Sequence, residues 1–227
     1  MSKPPKGIDI SDSRRSAHLG PFAPVVIGIT AICVAIEAIM QLGDAGLLPP
    51  PRFRSVVYEF GGFWPGLLTD WGSNYPFQSV AMFVTYAFLH AGFWHLALNM
   101  ITLWSLAAPI LLRVGQVKFS VLYALSILGG GAGYALLSDT FRPMVGASGA
   151  LFGLAGAILA WEYIDRFAFR RGVWPVAQAA LLLILLNAAL YFAMGGVLAW
   201  ETHLGGFIAG WIAALLVDPR SRAPQAD

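Results

Sequence analysis

Four side chains in this sequence have the types and surroundings needed for acyl-transfer chemistry. Ser148 lies in Gly146-Ala147-Ser148-Gly149, and His203 opens His203-Leu204-Gly205-Gly206-Phe207-Ile208-Ala209-Gly210. His95 and Asn99 stand four residues apart, a spacing that puts both on one face of a helix. A serine hydroxyl is a poor nucleophile until a base accepts its proton, and imidazole has a suitable pKa near neutrality. The pair Ser148 and His203 therefore suits attack on an acyl carbon. The oxyanion that forms needs donors: the Ser148 backbone N–H at a helix N-terminus, with the Asn99 amide and a His95 N–H beside it. Each element alone has a duller reading. A GxSG string without a strand before it is weak evidence of catalysis, and a serine in an apolar helix usually bonds back to its own backbone. A lone histidine at a helix end is more often an interfacial hydrogen-bonder. Their joint occurrence carries the weight.

Competing chemistries lack their residues. A zinc protease motif needs His-Glu-x-x-His, whereas His90 and His95 are five apart with no glutamate between, roughly 140° around a helix. Aspartyl chemistry needs paired carboxylates, and the predicted outer half of the membrane core holds no aspartate. No metal or other cofactor is expected. The one cysteine, Cys33, has no internal partner and reads as a small buried hydrophobe.

Helices in lipid must position these residues. Of 227 residues, 58% are apolar and 11% charged, where a soluble domain carries about a quarter charged. The mean hydropathy is +0.69. Net charge is only +2, so no basic field points to nucleic acid. Stretches of about 20 mostly apolar residues, the length of one crossing, follow one another along the chain. They predict six spans at Val25–Leu42, Phe93–Leu112, Phe119–Leu137, Val145–Trp161, Val173–Ala193 and His203–Val217. The run at Val25 lies too far from the start for a cleavable signal, so a short polar tail and a retained helix are expected. Lysine and arginine then set the orientation, because cytoplasmic loops retain them. With the N-terminus inside, the inner segments hold 11 of them (Lys3, Lys6, Arg14, Arg15, Arg113, Lys118, Arg166, Arg170, Arg171, Arg220 and Arg222) against 3 outside (Arg52, Arg54 and Arg142). Both termini are expected in the cytoplasm, with tails at 1–20 and 219–227 around a membrane domain at 21–218. His95, Asn99, Ser148 and His203 then share one outer depth. Glycines explain how the spans could close: Gly149 and Gly153, and Gly206 and Gly210, give two helices small-xxx-small faces.

Between Gly43 and Gly92 lies a long outer connection rich in proline, glycine and tryptophan, where most helix connections take only a few residues. It suits turns and helices lying in the membrane interface. Merging Val80–Leu89 with the following span would give a seventh crossing, but the run to Leu112 is too long and His90, Gly92 and His95 interrupt it.

At these residues the sequence resembles the rhomboid family of intramembrane proteases. The matching elements are His90-(x4)-His95-(x3)-Asn99, Gly146-x-Ser148-Gly149 and His203-x2-Gly206-x3-Gly210, and the likeness extends over roughly Phe22 to Asp218. The resemblance implies an all-α six-transmembrane-helix bundle with a long interfacial first loop, a Ser-His dyad without an acidic third member, and a water-filled cavity open to the outer side. It implies that His95 and Asn99 hold the oxyanion and that His90 anchors the first loop. Its implied substrates are transmembrane proteins whose helices unwind easily near the cut. Two positions depart from the family pattern. Ala81 and Met82 stand where many members carry Trp-Arg, and Phe152 stands where many place a tyrosine that stacks on the base.

The function expected is therefore intramembrane serine endopeptidase, in a compact six-span form suited to a bacterial plasma membrane. A non-catalytic rhomboid-like protein that escorts membrane clients is the alternative, although such relatives typically lack the serine or the histidine. A transporter is a third class, but no inverted repeat or paired broken helices are visible. Glu201, two residues before the base, is badly placed to complete a triad. Phe152 packing and local backbone contacts are expected to fix the His203 ring instead.

Overall fold

The structure, a computed structural model, describes residues 23–218. The tails, with Lys3, Lys6, Arg14, Arg15, Arg220 and Arg222, lie outside the described residues. Among the described residues there are seven α-helices: α1 Pro24–Asp44, α2 Phe53–Gly61, α3 Gln78–Thr85, α4 Phe93–Leu137, α5 Ser148–Ala168, α6 Trp174–Ala193 and α7 Trp200–Val217. There is no strand among them; an isolated antiparallel bridge joins Phe63 to Met144.

Helices α1, α4, α6 and α7 are long and apolar enough to cross a membrane. Helix α5, which carries Glu162, Asp165 and Arg166 in its last turns, is not among them. The predicted second and third spans are the two helical arms of α4, which meet at a single break inside the expected 113–118 connection instead of being separated by a loop. The only non-helical residue of α4 is Gly115, at φ 76° and ψ 176°, a conformation that glycine adopts without steric cost. One residue thus replaces the expected turn and divides α4 into arms at 93–114 and 116–137. Two further boundaries move. The predicted fourth span begins at Ser148 rather than Val145, and the sixth begins at Trp200, three residues before His203.

Helix α7 is wedged between α5 and the second arm of α4, and glycine permits this. A Cβ added at Gly206 would land on the Gly149 carbonyl oxygen, and one at Gly210 on the Gly153 carbonyl oxygen. On its other side a Cβ at Gly133 would come within 2.8 Å of the Gly205 Cα. Without a hydrophobic drive between helices in lipid, such backbone approach is what holds them together. Helix α6 is different. Of its 20 residues Val176 alone is buried, and Leu181, Leu182, Ile184, Leu185 and Leu186 face outward.

The first loop folds into α2, α3 and two 3-10 turns, Pro65–Leu68 and Tyr86–Phe88. Helix α3 has only eight residues and is separated from α4 by the non-helical 89–92, so no seventh crossing forms there. Arg54 of α2 fastens the loop to α1: it pairs with buried Glu37 at 2.8 Å and with Asp44 at 2.6 Å.

Candidate active site

The loop preceding α5 is held by the first loop on both backbone faces. Phe63 and Met144 exchange N–H···O bonds of 2.9 and 3.0 Å, and the Gly146 N–H donates to the Tyr86 carbonyl at 3.0 Å. Gly146 itself has φ 130°, and a Cβ there would meet His95 Cε1 at 2.8 Å, so only glycine fits between the histidine and the serine. The chain then enters α5 with Ser148 as its first helical residue. Its backbone N–H belongs to the first turn, whose N–H groups have no acceptor within the helix, and it sits at the positive end of the helix dipole.

His203 lies in the first turn of α7, 3% exposed. Its Nε2 is 2.8 Å from Ser148 Oγ, across 55 residues of sequence. Phe152, one turn beyond the serine on α5, stacks on the imidazole with centroids 4.2 Å apart and planes 6° from parallel. Phenylalanine thus supplies the flat face without a hydroxyl. The second ring nitrogen does not rest on local backbone as expected from sequence. His203 Nδ1 is 2.7 Å from the Asn187 side-chain oxygen, which comes from α6. With both nitrogens taken, none is left for Glu201, whose Oε2 is buried without a hydrogen-bond partner.

Asn187 went unrecognised in the sequence. It sits inside the predicted span Val173–Ala193, where any strongly polar group is a functional candidate, but no neighbouring motif singles it out.

His95 and Asn99 both lie in the first two turns of α4, and their hydrogen bonds divide their capacities. The His95 Nδ1 accepts from the Ala91 N–H at 3.1 Å, so in the neutral ring the proton is on Nε2. That edge of the ring faces Gly146, the position from which an added Cβ would be 3.0 Å from Nε2 and 3.8 Å from Ser148 Oγ. Asn99 differs from the sequence expectation: its amide nitrogen donates to the His95 carbonyl at 2.7 Å, tying it to its own helix. His90 packs edge-to-face on His95 at 5.3 Å. Burial, helped by His95, pushes its pKa down to about 4, so this imidazole is neutral.

An apolar groove of about 800 Å³ lies between α1 and α2, lined by residues including Ile32, Ile36, Phe53 and Phe60, and contains none of these site residues. Among the described residues no cluster of histidine, cysteine and carboxylate side chains is arranged to hold a metal.

A family model described as the Rhomboid domain matches residues 78–220, well over half of the chain and every residue of this cluster. The chain belongs to the rhomboid family. It is an integral membrane protein, with apolar helices of spanning length. Among rhomboid relatives, it is 35% identical over 130 residues to RHOMBOID-like protein 5 of Arabidopsis thaliana, covering 57% of this chain and 41% of that one. It is 33% identical over 128 residues to the rhomboid protease GluP of Bacillus subtilis, covering 56% and 24%. It is 26% identical over 201 residues to the rhomboid protease GlpG of Serratia proteamaculans, covering 88% and 64%. The chain thus spans less than two thirds of the length of each of these relatives.

Ala81 and Met82, which the resemblance sets at the family's Trp-Arg positions, lie in α3 of this rhomboid chain, and Met82 is fully buried. Cation anchoring of the loop comes from elsewhere. Arg54 Nη1 and the Tyr58 hydroxyl both donate to the His90 carbonyl oxygen, at 2.7 and 2.8 Å. The loop is therefore tied through the His90 backbone, while its imidazole packs against His95.

Proposed function

We propose that this chain is a rhomboid intramembrane serine endopeptidase that cleaves transmembrane protein substrates in or beside their membrane segments. One observation carries the reading: Ser148 Oγ and His203 Nε2 stand at 2.8 Å, although they come from different helices and each is costly in an apolar setting.

In the proposed reaction His203 Nε2 takes the hydroxyl proton as Ser148 Oγ attacks the scissile carbonyl carbon. The carbonyl oxygen becomes an oxyanion, received by the Ser148 backbone N–H and the His95 Nε2–H, with Asn99 bracing the His95 turn and offering its second amide proton. Collapse breaks the C–N bond, and the imidazolium gives its proton to the leaving amine. Water, activated by the same imidazole, then releases the acyl group and restores Ser148. No carboxylate takes part.

The topology proposed with it has six crossings: α1, the two arms of α4, α5, α6 and α7. Residues 21–218 form the membrane domain, with tails 1–20 and 219–227 on the cytoplasmic side of a bacterial plasma membrane. The bend at Gly115 supports counting α4 twice, since 45 residues at about 1.5 Å each would be more than twice the thickness of the hydrocarbon core.

A serine-directed fluorophosphonate tests the chemistry apart from any substrate. Detergent-solubilised protein should be labelled, and digestion should map the adduct to Ser148. Absence of labelling in folded protein would favour the non-catalytic client-binding reading, and an adduct on another serine would overturn Ser148 as the nucleophile.

A further inference from the structure

We propose that Asn187 is a positioning residue for the base, holding His203 in the one neutral tautomer that can accept the Ser148 proton. The inference rests on the proteolytic reading above.

An amide oxygen can only accept a hydrogen bond, and it is Oδ1 of Asn187 that lies 2.7 Å from His203 Nδ1. Nδ1 must then carry the ring proton. A neutral imidazole has one N–H, so Nε2 presents its lone pair, and it does so 2.8 Å from Ser148 Oγ. The opposite tautomer would place an N–H against the hydroxyl and leave Nδ1 facing an oxygen, with no proton between two acceptors. Asn187 therefore selects the tautomer competent for proton abstraction. It also keeps an acceptor on Nδ1–H when the ring becomes positive in the transition state, where a hydrogen bond to a charged group is stronger than one between neutral groups.

Two features of the surroundings make this role specific to Asn187. Phe152 fixes the ring plane by stacking but leaves rotation within that plane free, so a contact at the ring edge is needed to set its angle. Glu201 precedes His203 by two residues in the same helical turn, and it shares no hydrogen bond with the ring. A neutral amide does the orienting work without bringing a second charge into the membrane, where an ionised side chain is costly. Helix α6 has little other reason to present a polar group here, since Val176 is its one buried residue and Asn187 is half-buried beneath a leucine-rich surface.

The test compares Asn187→Leu, which keeps the branching at Cγ and removes the acceptor, with Asn187→Asp, which keeps an acceptor oxygen whether or not it is ionised. Both are reconstituted in liposomes with a single-span reporter, alongside wild type and a Ser148→Ala blank, and kcat and KM are measured separately. Thermal unfolding of each variant reports whether it is folded. The expected result is a kcat lowered about tenfold to a hundredfold in Asn187→Leu, the scale of one hydrogen bond to a group that becomes charged, with KM within about twofold of wild type. Asn187→Asp should recover most of the lost kcat. Asn187→Ala serves as a second acceptor deletion and should match Asn187→Leu. Wild-type kcat in folded Asn187→Leu, or equal losses in Asn187→Leu and Asn187→Asp, would overturn the positioning role while leaving the proteolytic reading intact. A wild type no faster than the Ser148→Ala blank would overturn both.

Discussion

The two ring nitrogens of His203 meet different partners, a hydroxyl on one side and an amide oxygen on the other, and that difference gives the ring a direction. The oxyanion donors are likewise unequal. His95 has its Nε2–H edge against Gly146, two residues before the serine, whereas the Asn99 amide already spends one N–H on the His95 carbonyl. His95→Ala should therefore cost more than Asn99→Ala. A lost oxyanion donor costs about a hundredfold to a thousandfold in kcat, and His95→Ala is expected in that range with little change in KM. Asn99→Ala should lose less, about tenfold, the cost of one hydrogen bond. Steady-state kinetics of the two variants check the order, and a larger loss for Asn99→Ala would make Asn99 the principal donor. Ser148, His203, His95 and Asn99 could be singled out because each belongs to a spaced motif, and Phe152 because it stands four residues after the serine. Asn187 was not, because a single asparagine 16 residues before the histidine carries no spacing signal, and its partnership exists only after α6 and α7 pack.

At the scale of elements, the four helices of spanning length were legible from apolar runs, and the close packing of α5 and α7 from glycine spacing: Gly206 against Gly149 and Gly210 against Gly153 are contacts between backbones that no larger residue would permit. The form of the break in α4 was not legible, although its place was: Arg113, Gln116 and Lys118 read as a loop, whereas one non-helical residue, Gly115, joins the two helices. Nor was the anchoring of the first loop. With no arginine at Met82, the cation comes from Arg54, which reaches Glu37, Asp44 and the His90 carbonyl together. Arginines in a polar loop give no sequence clue to a buried carboxylate partner on α1. Removing one member of a buried ion pair costs about 3–5 kcal/mol, because the other charge is stranded, whereas replacing both with apolar residues is often neutral. Arg54→Met should accordingly lower the thermal midpoint sharply, and the double variant Arg54→Met, Glu37→Met should recover much of the loss. Glu37 is 3% exposed, which places it in the regime where this holds. If the double variant unfolds at or below the midpoint of Arg54→Met, the pair matters for loop geometry more than for charge compensation.

For the whole molecule, lipid is the solvent that makes the arrangement intelligible. Three helices joined by glycine contacts, α7 between α5 and the second arm of α4, form a rigid centre that sets the serine and histidine, while α6 lies at the edge with its leucines outward and contributes a single amide to the ring. In the proposed reaction Ser148 and His203 together hydrolyse peptide bonds in membrane-embedded substrates. Reconstituting wild type, Ser148→Ala and His203→Ala in liposomes with a single-span reporter, and measuring the cleaved fraction over time, tests this. Because attack and proton transfer act as one unit, losing either residue should cost nearly as much as losing both. The expected result is cleavage by wild type, at one or a few positions within or next to the reporter's membrane segment, and none by either folded variant. Cleavage by Ser148→Ala at more than a small fraction of the wild-type rate would contradict the serine mechanism.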